Sequence, residues 1–219
     1  MAHPLPCQPT DLPRFVRLFP LAGVILLPRM QLPLQIFEPR YLSMVRDAMA
    51  SDQLIAIIQP RDIQPHEGGE PPALYQVGAL GRITSYSETG DGRLLIALTG
   101  IHRFELLAEP AAALPWRQGE ADYSRFADDR SPVPPLAAAS RADLESTLRR
   151  YLETEGLSAD WDAIRNADDE SLVHSLAAVC PFSAAERQAL LECSDFATRA
   201  ATLGTLMRFA AAAASGRPQ

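Results

Sequence analysis

The 219 residues suffice for one large domain or two small ones, with no need for a metal or disulfide staple. Apolar residues make up 47% and charged residues 21%, the balance of a folded globular chain. A net charge of -7 sets the overall field against phosphate backbones and anionic lipid, and no apolar run reaches the roughly 20 residues needed to cross a bilayer, so nucleic-acid and membrane partners are not expected.

Residues 1–13 are proline-rich and aperiodic, as in a loosely held tail. The pattern starts near Arg14. Prolines 20, 28, 33 and 39 then cut an apolar ribbon, each fixing its own φ and turning the residue before it away from helix. Short strands are expected at Val16–Leu21, Val24–Leu27 and Leu32–Phe37. Pro39 suits a first helical turn, and Tyr41, Leu42, Val45, Ala48 and Met49 fall on one face of a helix over 39–50.

Leu54–Ile58 reads as a buried strand closed by Gln59-Pro60, with a Pro, Gly and Glu-rich surface loop over 61–73. Tyr75–Tyr86 and Arg93–Thr99 flank the turn Glu88-Thr89-Gly90-Asp91-Gly92, the clearest hairpin of the chain. Gly100 allows a bulge or bend before a further strand, Ile101–Leu107. These strands and one helix predict a folded-over, barrel-like antiparallel β lobe over 14–126.

Beyond the charged, proline-rich stretch Asp128–Pro135 the spacing turns helical, and 127–215 is read as a small all-helical bundle, giving an α+β chain overall. Ser140 with Asp143 resembles a capping box opening a helix over 141–155. Asp168, Asp169 and Glu170 place negative charge at the start of the next helix, which Pro181 stops. Ser183 and Glu186 open another. Phe196, Ala200, Leu203, Leu206, Met207 and Ala210 stripe a last helix near 195–213.

Cys7, Cys180 and Cys193 show no Cys-x-x-Cys spacing, which fits reduced thiols and a cytoplasmic setting. His3, His66, His102 and His174 share no ligand spacing, so no metal or other cofactor is expected. All twenty basic residues are arginine, so neither a lysine-centred phosphate loop nor a Ser-Lys dyad can form within this chain.

Phe19-Pro-Leu, Leu32-Pro-Leu, Gln59-Pro60, Val77-Gly-x-x-Gly-Arg-Ile83, Asp91-Gly92 and Gly100-x-x-Arg103-Phe104 occur in the order and spacing of the Lon N-terminal, substrate-recognition domain. The chain resembles that family over nearly its whole length, and Ile36-Phe37-Glu38-Pro39-Arg40-Tyr41 is similar to the stand-alone Lon-domain proteins of bacteria. The resemblance implies a PUA-like β lobe and a non-catalytic module that holds unfolded or exposed apolar protein segments, as a monomer or weak homodimer. A groove is expected near the junction of the two lobes, with Leu34, Ile36, Phe37, Tyr41, His102, Trp116 and Phe126 as its candidate lining. Glu38 is expected to pair with Arg40 or Arg103 in a partly buried contact that fixes the helix 39–50 against the last strand. The competing reading is a hydrolase or small-molecule-binding protein with a pocket between the lobes, for which the sequence offers no convincing nucleophile. An RNA-binding role rests on fold analogy alone.

Overall fold

The computed structural model describes residues 12–61, 71–111 and 113–215. Two compact units divide between Arg130 and Ser131. Cys7, His3, His66 and most of the loop expected over 61–73 lie outside the described residues.

Among the described residues the first unit holds six strands, one α-helix and a closing 3-10 helix, Ser124–Arg130: β1 (Phe15–Pro20), β2 (Gln31–Ile36), α1 (Pro39–Met49), β3 (Leu54–Pro60), β4 (Leu74–Glu88), β5 (Leu94–Ala108) and β6 (Arg117–Asp122). They form one sheet in the order β2-β5-β4-β3-β1-β6, and β6 pairs with β5 as well, so the ladder returns on itself through five of the six strands. Antiparallel pairing was expected throughout, yet β1 and β3 run parallel, Leu18 beside Ala56. Reaching β3 through β2 and α1 permits this, since a parallel pair needs a long crossover connection. β3 is buried along its whole length because it has a neighbour on each side.

The expected break after Gly100 is a bulge within one long strand. Leu80 pairs with His102 and Gly81 with Gly100, leaving Ile101 as the extra residue. Val24–Leu27 does not form a strand. The segment is irregular yet deeply buried, and it crosses β5 where Arg29 N donates to Gly100 O and Gly100 N donates to Met30 O. A β-carbon on Gly100 would sit 2.1 Å from Leu27 O, so only glycine admits this crossing. Arg29 follows in the left-handed region at φ 66°, a strained conformation for a residue with a side chain.

The core of this unit is Val16, Leu18, Leu54, Ala56, Ile58, Leu74, Leu80, Phe104 and Ala121. α1 starts at Pro39 with Tyr41 N and Leu42 N donating to Glu38 O, and it buries Tyr41, Met44, Val45 and Ala48. Arg17 of β1 anchors the end of this helix by donating to Asp47 and Asp52, both at 2.7 Å, and to Ser51 Oγ.

The second unit is all helical: α2 (Ala138–Thr154), α3 (Trp161–Asn166), α4 (Asp169–Val179), α5 (Ala184–Glu192) and α6 (Phe196–Ser215). α6 packs against α2, α4 and α5. The Ser140–Asp143 capping box is absent, because α2 begins earlier, after Ala137, which supplies no side-chain cap. Asp168 does cap α4 by accepting from Ser171 N, and Ser183 with Glu186 forms a full capping box at α5. α3 was not expected; Asp160 caps it by accepting from Asp162 N and Ala163 N. Arg187 closes the other end of α4, donating to the carbonyls of Ala177, Ala178 and Cys180.

Candidate functional site

The chain's apolar lining residues converge in one place within the first unit. Pro20 ends β1, Arg40 and Tyr41 form the first turn of α1, Pro71 precedes β4, and Glu109 to Gln118 runs from the end of β5 into β6. Between them lies a cleft of about 440 Å³ lined by Pro20, Pro71, Pro110, Leu114, Pro115, Tyr41 and Trp116, with Arg40, Arg117, Glu109 and Gln118 supplying the polar groups. Prolines suit such a wall, being apolar, stiff and free of an N–H that would need a partner.

Tyr41 is held from both sides. Its ring centroid lies 4.2 Å from that of Phe19, and the Arg40 guanidinium stacks at 4.5 Å from it. Burial raises the Tyr41 hydroxyl above its ordinary pKa, opposed by the Arg40 charge. Arg117 is fully engaged: Nε and Nη2 clamp Glu109 at 2.7 and 2.6 Å, and Nη1 donates to Pro72 O at 2.7 Å. Arg40 is not. Its Nε and Nη2 both reach one oxygen of Glu38, and Nη1 has no acceptor among the described residues. The indole Nε1–H of Trp116 is buried and likewise has no acceptor among the described residues, an arrangement that costs about 1–3 kcal/mol.

Of the expected groove residues, Tyr41 and Trp116 share this cleft and the others do not line it. Ile36, His102 and Phe126 are each 2% exposed and belong to the interior. Leu34 is half-buried on β2 and Phe37 is exposed just beyond it. His102 Nδ1 lies 2.6 Å from Arg103 O, and its ring meets the edge of Tyr123.

The expected ion pair divides in two. Glu38 pairs with Arg40 at 2.8 Å, but the contact is local, and both side chains are about half exposed. Losing Glu38 therefore strands no buried charge, and the cost falls from the several kcal/mol of a buried pair to about 1 kcal/mol or less. Arg103 instead engages Asp129, from the charged stretch Asp128–Pro135. Nη2 donates to Oδ1 at 2.7 Å, Nε reaches both oxygens at 3.1 Å, and the Arg103 backbone N–H donates to Oδ2 at 2.8 Å. Both side chains are buried, and the guanidinium lies 4.1 Å from the Phe126 ring.

Among the described residues no cluster of His, Cys, Asp and Glu is placed to hold a metal ion, and no helix is long and apolar enough to cross a membrane. Burial pushes the Cys180 thiol up to about 11, away from a reactive thiolate.

A six-stranded mixed sheet and a helical unit make this an α+β chain with the fold of Lon N-terminal domains. The chain belongs to the family of the ATP-dependent protease La (LON) substrate-binding domain, whose model matches residues 16–208. It is 25% identical over 185 residues to Lon protease 2 of Syntrophobacter fumaroxidans, covering 83% of this chain and 22% of that protein. Against Lon protease 2 of Myxococcus xanthus it is 24% identical over 205 residues, covering 91% and 24%. The chain thus spans about a quarter of the length of these curated relatives. The fold matches the Lon N-terminal domain protein from Xanthomonas campestris (TM-score 0.57, 23% identity) and the N-terminal domain of Mycobacterium avium complex Lon protease (TM-score 0.62, 17% identity). Each match covers 89% of this chain and 98% of the other.

Proposed function

We propose that this chain is a non-catalytic module that binds unfolded or exposed apolar segments of other proteins, taking their side chains into the Tyr41–Trp116 cleft. The observation that carries the reading is the cleft itself: stiff apolar walls around two aromatics, in a family named for substrate binding. The cyclic strand pairing supports a PUA-like β lobe, and the chain works as a monomer or weak homodimer in the cytoplasm, without nucleic acid.

The test is fluorescence anisotropy with labelled, permanently unfolded polypeptides, set beside ester and peptide turnover assays. Binding without turnover, weakened at least tenfold by Trp116→Ala or by Leu114→Arg, which places charge on the cleft wall, is expected. Turnover that disappears on changing one side chain would overturn the proposal, as would binding indifferent to both variants.

A further inference from the structure

Resting on that reading of the cleft, its polar groups specify more than apolarity. In a chain of net charge -7, the described residues at the cleft are locally balanced, Arg117 against Glu109 and Arg40 against the neighbouring Glu38. The two arginines are not equivalent. Arg117 spends Nε, Nη1 and Nη2 on Glu109 and Pro72 O. Arg40 keeps Nη1 without an acceptor among the described residues and is more than half exposed, with its guanidinium stacked against Tyr41. A stacked guanidinium has lost part of the side-chain entropy that a free surface arginine surrenders on forming an ion pair. It also lies within one side-chain length of whatever packs beside Tyr41.

In an extended segment, alternate residues face the same side, about 7 Å apart. Arg40 lines the cleft beside Tyr41, so the same-side residues two before and two after an inserted side chain are the ones for its guanidinium to select. We infer that the preferred occupant is an extended protein segment in which an aromatic or branched apolar side chain is accompanied, two residues away, by a glutamate or aspartate. The apolar side chain fills the space between Trp116, Leu114 and the prolines. The carboxylate accepts from Arg40, in competition with Glu38. A basic residue at the same place meets the repulsion of Arg40 and Arg117.

The experiment uses the full chain and three N-acetylated, C-amidated glycine/serine nonapeptides with a central phenylalanine. Two residues before it stands glutamate, glutamine or arginine. A fourth peptide has glutamine there and a free C-terminal carboxylate. Dissociation constants are measured by anisotropy at 50 mM and 500 mM salt. The glutamate peptide is expected to bind about three- to fivefold more tightly than the glutamine peptide, the size of an exposed charge pair. The arginine peptide should bind more weakly than either, and the spread should shrink at high salt. Arg40→Gln should bring the glutamate-to-glutamine ratio to one. Arg93→Gln, at the distant hairpin turn, should leave that ratio unchanged.

If neither the glutamate nor the glutamine peptide binds, the cleft reading itself fails. Equal binding of the two, with loss on Trp116→Ala, keeps the cleft and rejects the acidic flank. A ratio that survives Arg40→Gln, or a gain seen only with the free C-terminal carboxylate, also overturns the inference.

Discussion

Replacing Asp129 by alanine should destabilise the first unit by about 3–5 kcal/mol, because it takes a buried carboxylate and its four contacts away from the buried Arg103. Asp129 takes a charge-assisted bond from Nη2 at 2.7 Å, Nε at 3.1 Å from both oxygens, and the Arg103 backbone N–H at 2.8 Å. With Arg103 only 3% exposed, water does not reach the vacated site without local opening. Against a typical domain stability of about 5–15 kcal/mol, this is a large fraction of the whole. The chain divides into two compact units, so the measurement needs a reporter confined to the first. Trp116 lies there and Trp161 in the second unit, so urea unfolding followed by tryptophan fluorescence in a Trp161→Phe background isolates it. Asp129→Asn keeps the shape and one acceptor and should lose less, which preserves the test if the alanine variant fails to fold. The pair Arg103→Leu with Asp129→Leu should recover most of the loss, since an apolar replacement removes both charges at once. A cost below about 1 kcal/mol for Asp129→Ala would show that the pair is solvated, and the reasoning from burial would fail.

Gly100→Ala should cost about 3 kcal/mol or more in the same assay, because its β-carbon meets the Leu27 carbonyl at 2.1 Å and both groups are backbone; wild-type stability would refute the crossing of 24–30 over β5. Asp195 accepts from Thr198 N, Thr198 Oγ1 and Ser194 Oγ at the start of α6, and these bonds hold its carboxyl down to about 2. Its folded value lies below its unfolded value of about 3.9, so its stabilisation is complete above pH 4 and is lost as pH falls toward 2. Far-UV circular dichroism across pH 5 to 2 should show the helical unit weakening there, and Asp195→Asn should flatten that part of the curve. Cys180, with its thiol pushed up to about 11, should resist iodoacetamide at pH 8 in the folded chain and react on unfolding, as read by peptide mass spectrometry; rapid native alkylation would contradict its burial.

What the sequence disclosed and what it hid follow from the range of the interactions. α1, the hairpin and the capping box at Ser183 were legible because each is determined within a few residues: a proline at the first turn, glycines in the turn, a serine three residues before a glutamate. β6 was missed because Arg-Gln-Gly-Glu-Ala-Asp has no apolar alternation; its inward positions are Gly119 and Ala121, small because Leu106 and Leu18 fill the space, with Leu106 Cδ1 only 2.5 Å from where a Gly119 β-carbon would stand. Val24–Leu27 carries strand composition, but its burial comes from lying across Gly81 and Gly100, a fit that no local pattern records. Arg103 met Asp129 across 26 residues, and among 20 arginines and 27 carboxylates nothing local singles out that partner.

The cleft illustrates the same limit from the functional side. Tyr41 and Trp116 stood out as aromatics, whereas prolines 20, 71, 110 and 115 register in a sequence only as strand breakers. Their second role, as stiff apolar walls that need no hydrogen-bond donor satisfied, emerges once three separate chain segments meet. The arginines follow the same logic in reverse. Arg17, Arg103, Arg117, Arg141 and Arg187 each serve two or more acceptors through a planar fork, a task that lysine's single ammonium centre performs poorly. Arg40, like Arg14 with Glu120, is different: both of its bonds go to one oxygen of a single carboxylate, that of Glu38, while its guanidinium stacks on Tyr41. In the proposed reading of the cleft, an exposed fork with one partner can exchange that acceptor, whereas Arg103 and Arg117 would have to give up contacts that close the fold.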